Sequence, residues 1–295
     1  MEPYLTFQDP YLGIYTKSFL WPTAEYNIFI DAGLASGAEY KQHHLESGRK
    51  SIVLLTHGHW DHVGCNALTQ KMGGEVWIHP GDQRHLSDYD WHWELLFGQF
   101  SQDFTLPTAR HTVFWNSVDK PVYPDRLLKD GEVLDFGRLR FRVITIPGHS
   151  PGSVCFYEEN SGVLFTGDGV MGDGFFTGTP QISDFDAYFT SLEKLRDMTV
   201  SRVVTDHTDP IPGYQLNDLL DASIVCARRM LLAVEEYVEK EKGPRLTVAD
   251  AAKAIAAAEE KNVGGGTCVS ALAALWRMRD DLRAQLCARE YICGI

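Results

Sequence analysis

The sequence predicts an α/β fold with a helical C-terminal extension. Three observations carry that prediction. Short β-rich runs alternate with turn chemistry through the front two thirds of the chain, an amphipathic helix follows them near residue 184, and the texture turns helical from about Gln215. At 295 residues, with 44% apolar and 23% charged side chains, the chain is ordinary globular material able to bury a sizeable core.

Taken in order, residues 26–30 end in Asp31-Ala32-Gly33, 51–56 end at His57, and 75–78 end at His79-Pro80. Further β-rich runs lie at 139–146, 153–157, 163–166 and 202–205. Within 184–197, Phe185, Tyr188, Phe189, Leu192 and Leu195 recur at helical spacing, with Ser183 as the expected cap. Strands interleaved with a helix give the α/β reading. Residues 217–241 and 247–261 pattern as helices, the second alanine-rich and capped by Thr247. A third helix is expected at 269–289, after Gly264-Gly265-Gly266. The expected division is a catalytic unit over 1–214 and a helical extension over 215–295. Inside the first unit, residues 85–116 read as an insertion or lid. Residues 85–115 hold Tyr89, Trp91, Trp93, Phe97, Phe100, Phe104, Phe114 and Trp115, with poor periodicity for a strand or a long helix.

Several function classes fall away. A net charge of −13, nearly all of it in residues 1–214, disfavours a surface built to bind nucleic acid through its phosphates. Cysteines 65, 155, 226, 268, 287 and 293 form no CxxC pair and read as reduced thiols. The N-terminal residues lack a secretory pattern, and no apolar run is long enough for a membrane span, so a soluble cytoplasmic protein is expected.

Four places share one design, in which a β-rich run ends and a ligand-type side chain follows. The run 51–56 delivers His57, His59, Asp61 and His62; 139–146 leads to His149; 163–166 leads to Asp168; 202–205 leads to His207. If these strands run the same way, the turns converge at one edge. Imidazoles and carboxylates without thiolate suit zinc, with iron or manganese as alternatives. Seven ligands are too many for one tetrahedral ion and suit two, with a carboxylate between them. Two ions roughly 3.5–4 Å apart can hold a hydroxide between them and polarise the bond it attacks. The other histidines, 43, 44, 79, 85, 92 and 111, read as ordinary surface or core residues.

The pattern His57-x-His59-x-Asp61-His62, then Pro147-Gly148-His149-Ser150-Pro151-Gly152-Ser153, Thr166-Gly167-Asp168 and His207 resembles the metallo-β-lactamase superfamily over roughly residues 20–212. The resemblance implies an αββα sandwich with a binuclear site at one edge of its two sheets. It implies that His57, His59 and His149 hold one ion, that Asp61, His62 and His207 hold the other, and that Asp168 bridges them. Superfamily members that open β-lactams lack the bridging aspartate, so Asp168 and the segment DFDAYFTSLEKLRDM look like the glyoxalase II, lactonase and nuclease branches. The expected reaction is attack of the bridging hydroxide on an ester, thioester or lactone carbonyl, with Asp61 orienting the nucleophile. Asp61 and Asp168 are thus the expected catalytic carboxylates. The alternatives are a phosphodiesterase or nuclease and a mononuclear-iron sulfur dioxygenase. His59, where flavodiiron proteins carry glutamate, weighs against a di-iron oxidase.

Two departures stand out. The last histidine lies in TDHTDP rather than a Gly-His-Gly-like turn, and Asp206 and Asp209 read equally as partners holding its imidazole or as surface turn residues. The basic cluster of a glutathione-binding glyoxalase II is not recognisable, so a glutathione thioester is not expected. The aromatic stretch is read either as packing or interface, or as a lid. In the lid reading Trp60, Trp91, Trp93 and Phe97 wall an apolar pocket. The expected partner is a small-molecule substrate, apolar or aromatic if the lid reading holds. Neither nucleic acid nor membrane is favoured, and a homo-oligomer is left open.

Overall fold

The computed structural model describes residues 4–11, 13–45, 48–100, 108–173, 179–240, 247–263 and 265–278. Among them the strands form two six-stranded sheets. The first sheet holds, in spatial order, β1 (Leu5–Tyr11), β2 (Ile14–Pro22), β3 (Tyr26–Ile30), β4 (Lys50–Leu54), β5 (Glu75–Ile78) and β6 (Arg126–Leu127). The second holds β7 (Val133–Asp135), β8 (Arg140–Thr145), β9 (Val154–Glu158), β10 (Val163–Phe165), β11 (Arg202–Val204) and β12 (Ile211–Pro212). The helices are α1 (Ala38–Leu45), α2 (Asn66–Lys71), α3 (Gln83–Ser87), α4 (Tyr89–Leu96), α5 (Thr108–Ser117), α6 (Phe185–Leu195), α7 (Leu216–Lys240), α8 (Val248–Ala258) and α9 (Gly265–Met278).

Side-chain alternation explains the layers. Phe19, Trp21, Ile28, Ile30, Ile52 and Leu54 of the first sheet meet Phe141, Val143, Val154, Phe156, Phe165 and Val204 of the second in one buried cluster. The intervening Leu20, Phe29, Val53, Cys155, Leu164 and Val203 face the other way, into a second cluster shared with the helices. Both faces of each sheet are covered, as in a helix–sheet–sheet–helix sandwich. The parallel strands β3 to β5 accordingly carry apolar runs, whereas the edge strand β6 is two exposed residues.

Several elements differ from the sequence reading. The β1–β2 hairpin was hidden by the polar composition of β1, which carries Asp9 and Pro10. An edge strand tolerates proline, and Asp9 is spent accepting from Leu34 N and Lys41 Nζ. The cap of α6 is Asp184, which accepts from Ala187 N at 2.9 Å; Ser183 donates instead to Gly148 O. Thr247 caps α8 as expected. The stretch with poor periodicity is broken into the short helices α3, α4 and α5, each with too few turns to register a pattern. Helix α9 begins inside the glycine triplet; expected positions 279–289, like Phe104, lie outside the described residues.

Candidate metal centre

Strand direction builds the site. β9 is antiparallel to both β8 and β10, so those two point the same way, and β11 runs parallel to β10. Their C-terminal ends therefore deliver His149, Asp168 and His207 to one edge. The loop after β4 brings His57, His59, Asp61 and His62 to the same edge, where Val154 N donates to Thr56 O at 2.8 Å across the two sheets. All seven residues are buried.

In the first set, the donor atoms of His57, His59 and His149 lie within 4.8 Å of one another. His59 Nδ1 and His149 Nε2 are 2.9 Å apart. His149 Nδ1 donates to Gln181 O at 2.9 Å, which leaves Nε2 with its lone pair. His57 Nδ1 lies 3.1 Å from Thr56 Oγ1. Burial, reinforced by neighbouring imidazoles, pushes His57 and His59 well below the usual histidine range, and burial lowers His149. Neutral imidazole is the form that binds a metal.

The second set, Asp61, His62 and His207, is equally close. Its electrostatics are opposite. Burial would lower His62 and His207, but the carboxylates win. Asp61 and Asp168 hold His62 well above the usual range, and Asp168 does the same, less strongly, to His207. Asp168 itself is driven well down: burial would raise it, and His207 and His62 overcome that. Its Oδ2 lies 3.1 Å from His207 Nε2, 3.6 Å from His62 Nε2 and 3.9 Å from His149 Nε2, placing it between the sets. Tyr11, from the tip of the β1–β2 hairpin, donates to Asp61 Oδ2 at 2.6 Å.

This donor set fits a cation. His57 Nε2, His62 Nε2 and Asp168 Oδ1 are buried without a hydrogen-bond partner, a costly arrangement for neutral packing and the expected one for ligand atoms. The outer ring nitrogens of the second set are held too, as metal-binding imidazoles require. His207 Nδ1 donates to Tyr15 O at 2.7 Å, and His62 Nδ1 sits 3.0 Å from Asp206 Oδ2 and 3.4 Å from Asp31 Oδ2.

That last arrangement corrects one expectation. Neither Asp206 nor Asp209 holds the His207 imidazole, because the ring turns its outer nitrogen toward the backbone of β2. Asp206 serves His62 instead, and Asp209 pairs with Lys17 at 3.0 Å.

The sequence reading missed four other residues. Asp31, in the left-handed region at φ 59°, accepts from Thr56 N and Oγ1. Asp82 accepts from Gly58 N, Gly152 N and Ser150 Oγ, tying together the loops that carry the first set. Both aspartates follow a strand end, the signal used elsewhere. Tyr11 and Gln181 carried no such signal.

Of the four candidate pocket residues, Trp91 lines a small cavity with His59, His85 and His149. Trp60 packs on Tyr11 and Phe114, and Trp93 and Phe97 pack on each other and on Phe114. Those three lie in an aromatic cluster rather than along that cavity. His85 and His92, read as ordinary, are buried with ring centroids 5.8 and 6.2 Å from His59. A larger cavity of about 300 Å³, lined by Leu95, Phe185, Leu272, Trp276 and Arg277 among others, shares Leu95, Ser183 and Val269 with the small one.

Two layered sheets with a buried His/Asp cluster at one edge give the arrangement of a metal-binding enzyme. The chain belongs to the metallo-β-lactamase superfamily, whose family model matches residues 18–207. It is similar to the acyl-coenzyme A thioesterase MBLAC2 of Gallus gallus, 27% identical over 214 residues, covering 66% of this chain and 73% of that protein. The hydroxyacylglutathione hydrolase GloC of Haemophilus influenzae is 30% identical over 178 residues, covering 59% and 76%. Among solved structures, the metallo-beta-lactamase family protein TTHA1429 from Thermus thermophilus superposes with a TM-score of 0.74 at 21% identity. That match covers 95% of this chain and 94% of that one. No helix among the described residues is long and apolar enough to cross a membrane.

Proposed function

We propose that the protein is a binuclear zinc-dependent hydrolase of carboxylic thioesters, esters or lactones. The observation that carries this reading is the position of Asp168, between two sets of three close-packed donors. On this reading His57, His59 and His149 would hold one ion and Asp61, His62 and His207 the other, with Asp168 within reach of both; iron or manganese would suit the same donors. Bound there, the ions supply Lewis acidity and a water nucleophile that is available at neutral pH.

The chain's own groups do the rest. Asp61 is placed to orient the attacking water, its Oδ2, the oxygen that faces His62 Nε2 at 3.7 Å and His207 Nε2 at 3.5 Å, being fixed by the Tyr11 hydroxyl. Burial, then the Asp61 charge, drives the Tyr11 phenol well above its usual range, so it remains a donor. The buried walls limit water around the reacting carbonyl. One wall of the cavity of about 300 Å³, formed by Leu95, Phe185, Leu272 and Trp276, suits an apolar or aryl acyl group, while Asp184, Asp186 and Arg277 make another part of its lining charged. The acidic surface argues against a polynucleotide substrate. We place this chemistry in residues 1–214, in the cytoplasm, with 215–295 as a helical extension.

The metal-loaded protein should be assayed against acyl thioesters, aryl esters, lactones and a phosphodiester. Turnover of the carbonyl compounds with kcat/KM at least 100-fold above that for the phosphodiester is expected. The reverse preference would overturn the reading.

A further inference from the structure

We propose that Gln181 is a positioning residue for the first ion, and that helix α9 holds it in place. The proposal rests on the reading of His57, His59 and His149 as that ion's ligands. Gln181 touches two of the three. Its backbone carbonyl takes the Nδ1 proton of His149, and its side-chain amide nitrogen lies 3.0 Å from His59 Nε2.

The proton count decides what that second contact must be. His149 presents its Nε2 lone pair toward His59 Nδ1, 2.9 Å away. One cation can serve both atoms only if His59 also presents a lone pair at Nδ1, which requires its proton on Nε2. The partner at Nε2 must then accept. A half-turn of the Gln181 amide brings Oε1 to that place without changing its shape. Gln181 thereby sets the tautomer of both imidazoles, one through its main chain and one through its side chain.

The segment carrying Gln181 is fastened to the C-terminal helix. Ile182 N donates to Ser270 Oγ at 2.8 Å, the Ser270 hydroxyl proton lies between Gly266 O at 3.0 Å and Pro180 O at 3.2 Å, and Thr179 Oγ1 donates to Thr267 Oγ1 at 3.0 Å. Helix packing is tight here: a Cβ added to Gly266 would stand 3.2 Å from Gln181 Cβ. All three hydroxyl residues are buried. The C-terminal extension is therefore built into the support of the metal centre, some 120 residues along the chain from His149.

The test is competition between the zinc-loaded protein and a chromophoric chelator, with histidine ¹⁵N NMR of the unsubstituted zinc-loaded protein. Gln181→Met keeps the length and loses the polar atoms; it should weaken zinc binding at the set of His57, His59 and His149 by about 10- to 100-fold. Gln181→Glu restores an acceptor and should stay within about threefold of wild type. Ser270→Ala, which removes the hydrogen bond from Ile182 N and loosens the segment on α9 while leaving the Thr179–Thr267 tie, should cost about threefold or more. The NMR spectrum should show His59 protonated at Nε2. Gln181→Met within twofold of wild type, Gln181→Glu as weak as Gln181→Met, Ser270→Ala without effect, or His59 protonated at Nδ1 would each overturn the proposal. Should Gln181→Met not fold, the NMR result and Gln181→Glu decide. His57→Ala is the control: unchanged zinc content there would overturn the ligand reading itself, whereas loss of zinc there with a normal Gln181→Met rejects Gln181 alone.

Discussion

Replacing Asp82 by alanine removes one carboxylate that joins two loops. Asp82 is fully buried and accepts from Gly58 N at 2.9 Å, Gly152 N at 2.7 Å and Ser150 Oγ at 2.6 Å. Hydrogen bonds to a charged group contribute about 1.5–3 kcal/mol each. Ser150 Oγ keeps Ser153 Oγ at 2.7 Å, so the two amides bear most of the loss. That suggests about 3–6 kcal/mol, offset in part because alanine relieves the desolvation of a buried charge. A net cost of about 3 kcal/mol remains. With an unfolding entropy of about 0.6 kcal/mol per kelvin for a chain this size, the midpoint should fall by about 5 °C. Asp82→Asn would keep one acceptor oxygen and should lose roughly half as much. Calorimetry of the metal-free protein in chelator separates this from any metal effect. An Asp82→Ala protein melting within 1 °C of wild type would refute the reasoning.

Two further perturbations follow from the same geometry. Gly148 has φ 136°, and an added Cβ would stand 2.4 Å from Tyr188 Cα, so Gly148→Ala must push α6 away from the His149 loop. Backbone strain and overpacking together should cost about 2–4 kcal/mol, read as a drop of several degrees in melting temperature with at least tenfold lower kcat/KM. The two donor sets should also respond differently to pH. A metal needs neutral imidazole. His62 and His207 are raised by their carboxylates, so protons compete for the second set, and affinity there falls as pH drops through those raised values. The first set, with His57, His59 and His149 lowered, meets that competition only at lower pH. Dialysis at successive pH values followed by metal analysis should show the second ion leaving first; simultaneous loss would contradict this.

How much was legible in the sequence depended on the length scale of each signal. The ligand residues stood out because HxHxDH is dense and because His149, Asp168 and His207 each follow a short β-rich run. Gln181 could not be found that way. Its role depends on a carbonyl and an amide arriving beside two rings from a segment with no periodic pattern, and on α9 packing behind it. The β1–β2 hairpin stayed hidden because Asp9 is buried by a partner, Lys41, 32 positions away. Asp206 was seen but given the wrong histidine, since ring orientation is not written in local spacing.

The central claim is two ions held by two sets of donors that share Asp168. Metal content per chain, by mass spectrometry of the purified protein dialysed against trace zinc, addresses it most directly. The account predicts two zinc ions for wild type, one for His57→Ala with only the second set filled, one for His207→Ala with only the first, and fewer than two for Asp168→Ala. A wild-type content of one, or two ions retained in both histidine variants, would contradict it.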